Sequence, residues 1–295
     1  MTAVDELASG KGHKDENFPV ASFILRPRHR AVIMAFYRFA RAADDVADNP
    51  HASPDQKIAL LDAMGATLAG DDDGNPEAQA LRTALQQRGL PAIHAQDLLR
   101  AFRQDAVQTR YADWRELMDY CRYSASPVGR FVLDVHGESP ALWPMNDALC
   151  TALQVINHLQ DCADDYRDID RVYLPLDELA RAGTGVDALT AERAPPPLRT
   201  VIAALAERTS RLLDQSRPFA SGIRDGRLAL EVAIIQRLAE SLASRLQRHD
   251  PLSERVHHRP LEAIGQVALA IGDRLAGRAR AAPGGAELFA GTDAR

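Results

Sequence analysis

Apolar side chains recur every three or four residues along most of this chain, which is the spacing of one face of an α-helix. This pattern predicts helices over residues 29–47, 55–69, 77–88, 93–108, 113–125, 130–137, 146–166, 197–215, 226–248 and 260–277. Gly and Pro fall between these segments, and no useful length of sequence alternates with the period of two that is typical of a strand. We therefore predict an all-α fold with one helical domain over residues 18–278, a flexible segment over 1–17 and a frayed tail over 279–295.

Composition limits the classes of function. Hydrophobic residues make up 46% of the 295 residues, which is enough for a sizeable core, and the net charge of −6 argues against nucleic acid as the main partner. The three cysteines have no metal-ligand spacing and are typical of buried thiols in a reducing cytosol. The N-terminus lacks the apolar stretch of a secretory signal, and no apolar run approaches the roughly 18 residues of a membrane span. We expect a cytoplasmic protein, and peripheral contact with the inner face of the membrane stays open.

Two groups of oxygen-bearing side chains, four aspartates and one asparagine, carry the main chemical signal. Asp44 and Asp48 lie in RAADDVAD, and Asn157, Asp161 and Asp165 lie in NHLQDCADD. A spacing of four residues on a helix places each group on one face, where neighbouring carboxylates are about 6 Å apart and repel each other. A divalent cation would reverse that repulsion, and Mg²⁺ binds carboxylate oxygens together with substrate phosphates. The two groups facing one cavity therefore predict a Mg²⁺ site for an organic diphosphate, although a pair such as Asp44 and Asp48 alone is more often a solvated helix end.

The sequence around these groups is similar to that of a known family. Residues 9–48 read SGKGHKDENFPVASFILRPRHRAVIMAFYRFARAADDVAD, and residues 157–175 read NHLQDCADDYRDIDRVYLP. The two stretches, in this order and about 110 residues apart, resemble the head-to-head prenyl synthases, which include squalene and phytoene synthases. They are most similar to the bacterial hydroxysqualene synthases of hopanoid biosynthesis. The resemblance spans roughly residues 10–250 and implies an isoprenoid-synthase-type helical bundle around a central apolar cavity.

The resemblance also implies roles for individual residues. The residues expected to bind Mg²⁺ are Asp44, Asp48, Asn157, Asp161 and Asp165. Those expected to act in catalysis are Asp44, Asp48, Asp161, Asp165 and Tyr37. The expected substrate-binding residues are Phe18, Arg41, Asp105, Tyr120, Gly129, Gln160, Arg171 and Tyr173. In this assignment Phe18 lines the pocket near an N-terminal flap, Arg41 contacts phosphate, and Gly129 belongs to a kinked small-residue helix that makes room for prenyl chains.

Two positions depart from the family's pattern. Gln160 stands where an arginine often precedes the first aspartate of the second motif, which removes one cationic contact with phosphate. Asp170 replaces the usual glycine before the arginine of RVYLP, which leaves the local loop geometry open. The loss of a phosphate contact is compatible with presqualene diphosphate as the substrate, because that molecule carries one diphosphate where two farnesyl diphosphates carry two.

Three functions are compatible with the sequence. The first is conversion of presqualene diphosphate and water to hydroxysqualene and diphosphate, through a carbocation held in an apolar pocket. The second is a related synthase that makes presqualene diphosphate, squalene or phytoene from two prenyl diphosphates. The third is a non-catalytic helical assembly protein, against which the intact acidic residues argue. The expected partners are the prenyl diphosphate substrate and other enzymes of the squalene pathway, to which the product would be handed over.

Overall fold

The fold is built from helices that follow one another along the chain with short connections. A computed structural model describes residues 27–258. The α-helices of this part are α1 (Pro27–Asp48), α2 (Pro54–Ala69), α3 (Pro76–Arg88), α4 (Ile93–Asp105), α5 (Trp114–Ser124), α6 (Ser126–His136), α7 (Trp143–Gln160), α8 (Cys162–Ile169), α9 (Leu176–Arg181), α10 (Pro196–Ser216), α11 (Phe219–Gly222) and α12 (Gly226–Leu246). Short 3₁₀ helices cover Pro140–Leu142 and Val186–Thr190. No β-strand occurs between residues 27 and 258, and the prediction of an all-α fold is confirmed.

Each segment predicted as helical within residues 27–258 has an observed counterpart, although the segment 146–166 is divided between α7 and α8. The short helices α9 and α11 were not predicted, because six and four residues are too few to show a helical period. The helix predicted over 260–277 lies outside the described residues, as do the terminal segments 1–17 and 279–295 and both proposed domain boundaries.

Several helices begin at side chains that satisfy free backbone amides. Ser53 starts α2 with a capping box, in which its hydroxyl accepts the amide hydrogen of Gln56 and the Gln56 side chain accepts that of Ser53. The carboxylates of Asp113 and Asp225 accept amide hydrogens in the first turns of α5 and α12. These local hydrogen bonds explain why the breaks between helices follow the sequence pattern closely.

The helices pack around α7, which contacts α5, α6, α10 and α12, while α1 packs against α2, α3, α4 and α6. One cluster of buried apolar side chains runs through all of them, including Phe39, Phe131 and Leu159. Burial of each such side chain stabilises the fold by about 1.5–3 kcal/mol. Within residues 27–258, no helix has both the length and the apolar character needed to cross a membrane.

A cavity of about 370 Å³ remains between α1, α4, α6, α7, α11 and α12. Its apolar lining includes Ile33, Phe36, Phe102, Phe131, Leu149, Leu153, Phe219, Leu228, Val232 and Ile235. Its polar lining consists of Tyr37, Arg41, Asp44, Asn146, Cys150 and Glu231. The predicted helical bundle around a central apolar cavity is therefore confirmed, and this cavity has the size and lining of a small-molecule site.

Gly129 lets α6 and α7 approach each other at the cavity wall. A Cβ atom added to Gly129 would lie 1.9 Å from Oδ1 of Asn146 and 2.7 Å from Sγ of Cys150, far inside van der Waals contact. Any larger residue would force α6 and α7 apart. The predicted kink lies just before this point, where Ala125 separates the end of α5 from the start of α6.

Candidate active site

The first acidic motif lies at the end of α1 and reaches the cavity. Tyr37, Arg41 and Asp44 are spaced by four and three residues, and all three line the cavity from one face of the helix. Arg41 donates a hydrogen bond to Oδ2 of Asp44 at 3.0 Å and forms an ion pair with Asp45 at 2.9 Å. The guanidinium therefore holds the Asp44 carboxylate at the edge of a largely apolar space.

The electrostatic environment of Asp44 is unfavourable for an isolated carboxylate. Burial and the nearby charge of Asp48 raise the pKa of Asp44 to about 8, although Arg41 acts in the opposite direction. A cation shared by the two carboxylates would remove the repulsion between them, and carboxylate oxygens are the hard ligands that Mg²⁺ prefers. Asp44 and Asp48 thus fit a divalent cation in both charge and donor type.

Asp48 is connected to a buried arginine that follows the second motif in sequence. Arg171 is 5% exposed, and its Nη1 donates to Oδ1 of Asp48 at 2.7 Å and to the hydroxyl of Tyr173 at 3.3 Å. Its Nη2 donates to the main-chain carbonyl of Asp105 at 3.1 Å, and its Nε lies 3.9 Å from the Asp105 carboxylate. Arg171 therefore fixes the position of Asp48 from the protein interior.

Asp105 is the buried centre of this network. The Tyr120 hydroxyl donates to its Oδ2 at 2.8 Å, and the Tyr173 hydroxyl donates to its Oδ1 at 3.4 Å. Burial raises the pKa of Asp105 to about 7, although the charge of Arg171 and the hydrogen bond from Tyr120 act in the opposite direction. Burial also raises the pKa values of both tyrosines, so their hydroxyls keep the protons that they donate. Five predicted site residues, Asp48, Asp105, Tyr120, Arg171 and Tyr173, thus form one hydrogen-bonded group.

The second acidic motif lies at a bend, and the prediction of one continuous helix over 146–166 is wrong. Asn157 belongs to α7, Asp165 belongs to α8, and Asp161 lies between them with φ −102° and ψ 8°. The amide of Asp161 still bonds the carbonyl of Asn157 at 2.9 Å, and its own carbonyl accepts the amide of Asp165 at 2.8 Å. Because both helical hydrogen bonds persist across the bend, the apolar period continues through it and gives no sign of it in the sequence.

The two motifs are joined through Arg171 and its neighbours. The amide of Arg171 donates to the main-chain carbonyl of Asp165 at 3.1 Å, while its side chain reaches Asp48. On the same side, the ring of His158, next to Asn157, stacks on Tyr173 with 3.4 Å between ring centroids. These contacts bring the helix ends of both motifs to one region of the protein, as a shared site requires.

The remaining predicted site residues have varied positions. Gln160 is 8% exposed, and its amide donates to the main-chain carbonyl of Val256, so a role in substrate binding stays a prediction. Phe18 lies outside the described residues. Asp170 has φ 51°, a left-handed conformation that glycine adopts most easily, and Arg110 donates to its carboxylate at 2.5 Å. The conformation accounts for glycine as the usual residue at this position.

Sequence reasoning missed two charged residues near the site. Lys57 on α2 donates to the carbonyl of Ala47 at 2.8 Å, next to Asp48, and burial lowers the pKa of its amine. Glu231 on α12 is 5% exposed and lines the cavity. A feature of the sequence could have drawn attention to each of these two residues. Lys57 is one of three lysines in an arginine-rich chain, and Glu231 interrupts the apolar segment LALEVAII.

A third group of possible metal ligands lies elsewhere. His29, His136 and Asp225 offer ligand atoms within 4.8 Å of one another at the start of α1. However, Arg28 and Arg88 place guanidinium nitrogens 3.0 and 3.1 Å from the two ring nitrogens of His29. These positive charges oppose a cation at this position, and burial and His136 lower the pKa of His29 to about 4. The carboxylates of α1 are the better match to a metal.

Comparisons with known proteins agree with this geometry. Residues 11–262 match the family model of squalene/phytoene synthases. The hydroxysqualene synthase of Zymomonas mobilis is 56% identical over 271 residues, which cover 91% of each chain. That of Rhodopseudomonas palustris is 53% identical over 264 residues, or 90% of each chain. The crystal structure of squalene synthase HpnC from Alicyclobacillus acidocaldarius is similar with a TM-score of 0.70 and 31% identity, covering 83% of this chain and 92% of that one. The chain therefore belongs to the squalene/phytoene synthase family.

Proposed function

We propose that this enzyme is a hydroxysqualene synthase, which ionises presqualene diphosphate and captures the rearranged carbocation with water. The supporting observation is the polarity of the cavity, in which Arg41 and Asp44 occupy one side of an apolar space. The curated relatives that are 56% and 53% identical are both named hydroxysqualene synthase. The charged side suits a diphosphate, and the apolar lining suits a long hydrocarbon.

Enzymes of this family generally depend on a divalent metal, and we propose Mg²⁺ here. Asp44, Asp48, Asn157, Asp161 and Asp165 would hold it, and when bound it supplies positive charge to the departing diphosphate. Arg41 would donate hydrogen bonds to phosphate oxygens from its place beside Asp44.

The protein's own side chains prepare the site for ionisation. Arg171 and the buried Asp105 keep Asp48 in a fixed orientation, so little reorganisation is needed when charge develops. Phe36 and Phe131, whose rings stack 4.0 Å apart, form part of a wall that excludes water from the carbocation. Tyr37 lines the cavity at a position between Phe36 and Arg41 along α1, where it would face the bond that breaks.

The second candidate function is a synthase that joins two prenyl diphosphates. It is favoured by the name of the solved structure with 31% identity, which is a squalene synthase. The same cavity and the same acidic residues would serve either reaction, so the two functions differ in the substrate accepted.

We also propose that the helical domain spans residues 18–278.

We further propose that the product leaves towards a membrane or a following enzyme of the squalene pathway. A C30 alcohol is almost insoluble in water, and Val128 in the cavity lining is 44% exposed, which gives the cavity an apolar connection to the surface. Binding to lipid vesicles, measured by co-sedimentation with and without anionic lipid, tests peripheral contact with the cytoplasmic face. No sedimentation with either vesicle would refute it.

The proposed function is tested with purified protein, Mg²⁺ and either presqualene diphosphate or farnesyl diphosphate, without NADPH. We expect presqualene diphosphate alone to give hydroxysqualene and diphosphate, and EDTA to abolish the reaction until Mg²⁺ is restored. Formation of a cyclopropyl diphosphate or a C40 hydrocarbon from simple prenyl diphosphates, with no alcohol from presqualene diphosphate, would support the second candidate instead.

A further inference from the structure

The α12 side of the cavity carries one charged side chain on an apolar face. Leu228, Glu231, Val232 and Ile235 all line the cavity and follow the spacing of one helix face. Three of them are aliphatic, and Glu231 is 5% exposed. Within the described residues, the carboxylates that line the cavity are Asp44 and Glu231.

The neutral polar groups that α7 brings to the cavity are poor proton acceptors. Asn146 carries an amide, whose Nδ2 donates to the carbonyl of Ser126 at 3.2 Å. Burial raises the pKa of the Cys150 thiol to about 12, so this group keeps its proton at neutral pH. A water molecule in an apolar cavity remains only where polar groups hold it. The carboxylate of Glu231 can both hold such a water and accept a proton from it.

Glu231 and Asp44 line the cavity from different helices, α12 and α1. On α12 the aliphatic side chains of Leu228, Val232 and Ile235 flank Glu231, whereas Arg41, which suits a phosphate, lies beside Asp44 on α1. The hydrocarbon part of the substrate, and not its diphosphate, would therefore meet Glu231.

We propose that Glu231 is a catalytic residue that holds the water molecule captured by the carbocation and accepts its proton. This inference rests on the proposed function. The water oxygen forms a bond to the cationic carbon, one of its protons passes to the Glu231 carboxylate, and the products are a neutral alcohol and a carboxylic acid. That proton returns to solvent when the product leaves, so the step consumes water and needs no other reactant.

The test compares the products of wild type, Glu231→Leu, Glu231→Gln and Glu240→Gln with presqualene diphosphate and Mg²⁺ in H₂¹⁸O. Glu240 is the matched control, because it lies on the same helix, pairs with Arg217 and does not line the cavity. Diphosphate release measures ionisation, and mass spectrometry measures the labelled alcohol. Far-UV circular dichroism shows whether each variant folds.

For Glu231→Leu we expect diphosphate release within about tenfold of wild type. The fraction of product that is the labelled alcohol should fall by about a hundredfold, in favour of alkenes or isomeric alcohols. That factor is the typical effect of losing a general base. Glu231→Gln keeps the shape and an acceptor atom but cannot take the proton, so its alcohol fraction should lie between the two. Glu240→Gln should match wild type. An unchanged alcohol fraction in both Glu231 variants, or a parallel loss of alcohol and diphosphate release in folded protein, would overturn the assignment. Absence of labelled alcohol from wild type would instead overturn the proposed function.

Discussion

Replacing Arg171 by methionine should destabilise the protein strongly, because the guanidinium compensates a carboxylate inside the structure. Arg171 and Asp105 are each 5% exposed. The guanidinium bonds the carboxylate of Asp48 at 2.7 Å, the hydroxyl of Tyr173 at 3.3 Å and the main-chain carbonyl of Asp105 at 3.1 Å. Removing one partner of a buried ion pair costs about 3–5 kcal/mol. That is a large part of the roughly 5–15 kcal/mol by which a folded protein is stable.

The loss of stability in Arg171→Met should depend on the presence of Asp105. In Arg171→Met the Asp105 carboxylate is left without the positive charge that lowers its pKa. Replacing Asp105 by asparagine in the same protein removes the uncompensated charge, so the double variant should be more stable than the sum of the two single changes indicates. A coupling of about 1–3 kcal/mol is expected for residues in one buried network.

The same pair predicts the direction of the pH dependence. The pKa of Asp105 is about 7 in the folded protein and near its ordinary value of 3.8 when the chain unfolds. Between these values the folded state holds one more proton than the unfolded state, so this residue's contribution to stability is present below about pH 4 and is lost as the pH rises through 7. Without Arg171 the pKa of Asp105 in the folded protein rises further, so the loss of stability extends to higher pH. Asp105→Asn should remove this component.

The measurement is urea unfolding followed by circular dichroism at pH 5 and pH 8 for the wild type, both single variants and the double variant. Arg167→Met is the matched control, because its side chain is 66% exposed and its ion pairs with Asp164 and Asp168 should contribute less than about 1 kcal/mol. Two results would contradict this reasoning. One is a free energy of unfolding for Arg171→Met equal to that of the control at both pH values. The other is a loss of stability on replacing Arg171 that is the same with and without Asp105→Asn.

Three further predictions concern single sites. Gly129→Ala should lower the free energy of unfolding in urea by about 1–3 kcal/mol, because the added Cβ would meet an α7 amide oxygen at 1.9 Å. Gly226→Ala, which has open space around the added atom, should not lower it. Lys57→Met should lower the free energy of unfolding by about 1 kcal/mol, because the hydrogen bond to the end of α1 is lost. Equal melting temperatures for Lys57→Met and wild type would contradict this. Asp161→Asn should reduce diphosphate release by orders of magnitude with unchanged circular dichroism, and full activity would refute the ligand assignment.

The sequence predicted those features that depend on neighbours within one or two helical turns. The face formed by Tyr37, Arg41 and Asp44 follows from a period of 3.6 residues, and α1 presents it to the cavity as that period requires. Helix boundaries were predicted from the Gly and Pro residues between the segments, and the structure adds caps such as Ser53 and Asp225, whose hydrogen bonds reach at most three residues. Local hydrogen bonding and periodicity suffice for such features, because no distant part of the chain decides them.

Contacts between distant parts of the chain could not be predicted from local periodicity and hydrogen bonding. Arg171 reaches Asp48 across 123 residues, and the amide of Gln160 reaches Val256 across 96 residues. The resemblance to a family indicated that Arg171 matters, but its partners depend on how α1, α4 and the segment after α8 pack. The bend at Asp161 was missed for a related reason, since the hydrogen bonds on both sides of it remain helical.

The arrangement of α1 restricts how a prenyl diphosphate can enter the cavity. Its cavity face begins with Ile33 and Phe36 and ends with Arg41 and Asp44, so polarity increases along one helix over about 16 Å. A diphosphate placed at the Ile33 end would lose its hydration without gaining charged partners from α1, whereas at the Asp44 end it meets Arg41. The hydrocarbon must then extend towards the start of α1. In the proposed reaction, ionisation and carbocation rearrangement would therefore take place in regions of opposite polarity on the same helix, which lets one site stabilise an anion and still protect a cation from bulk water.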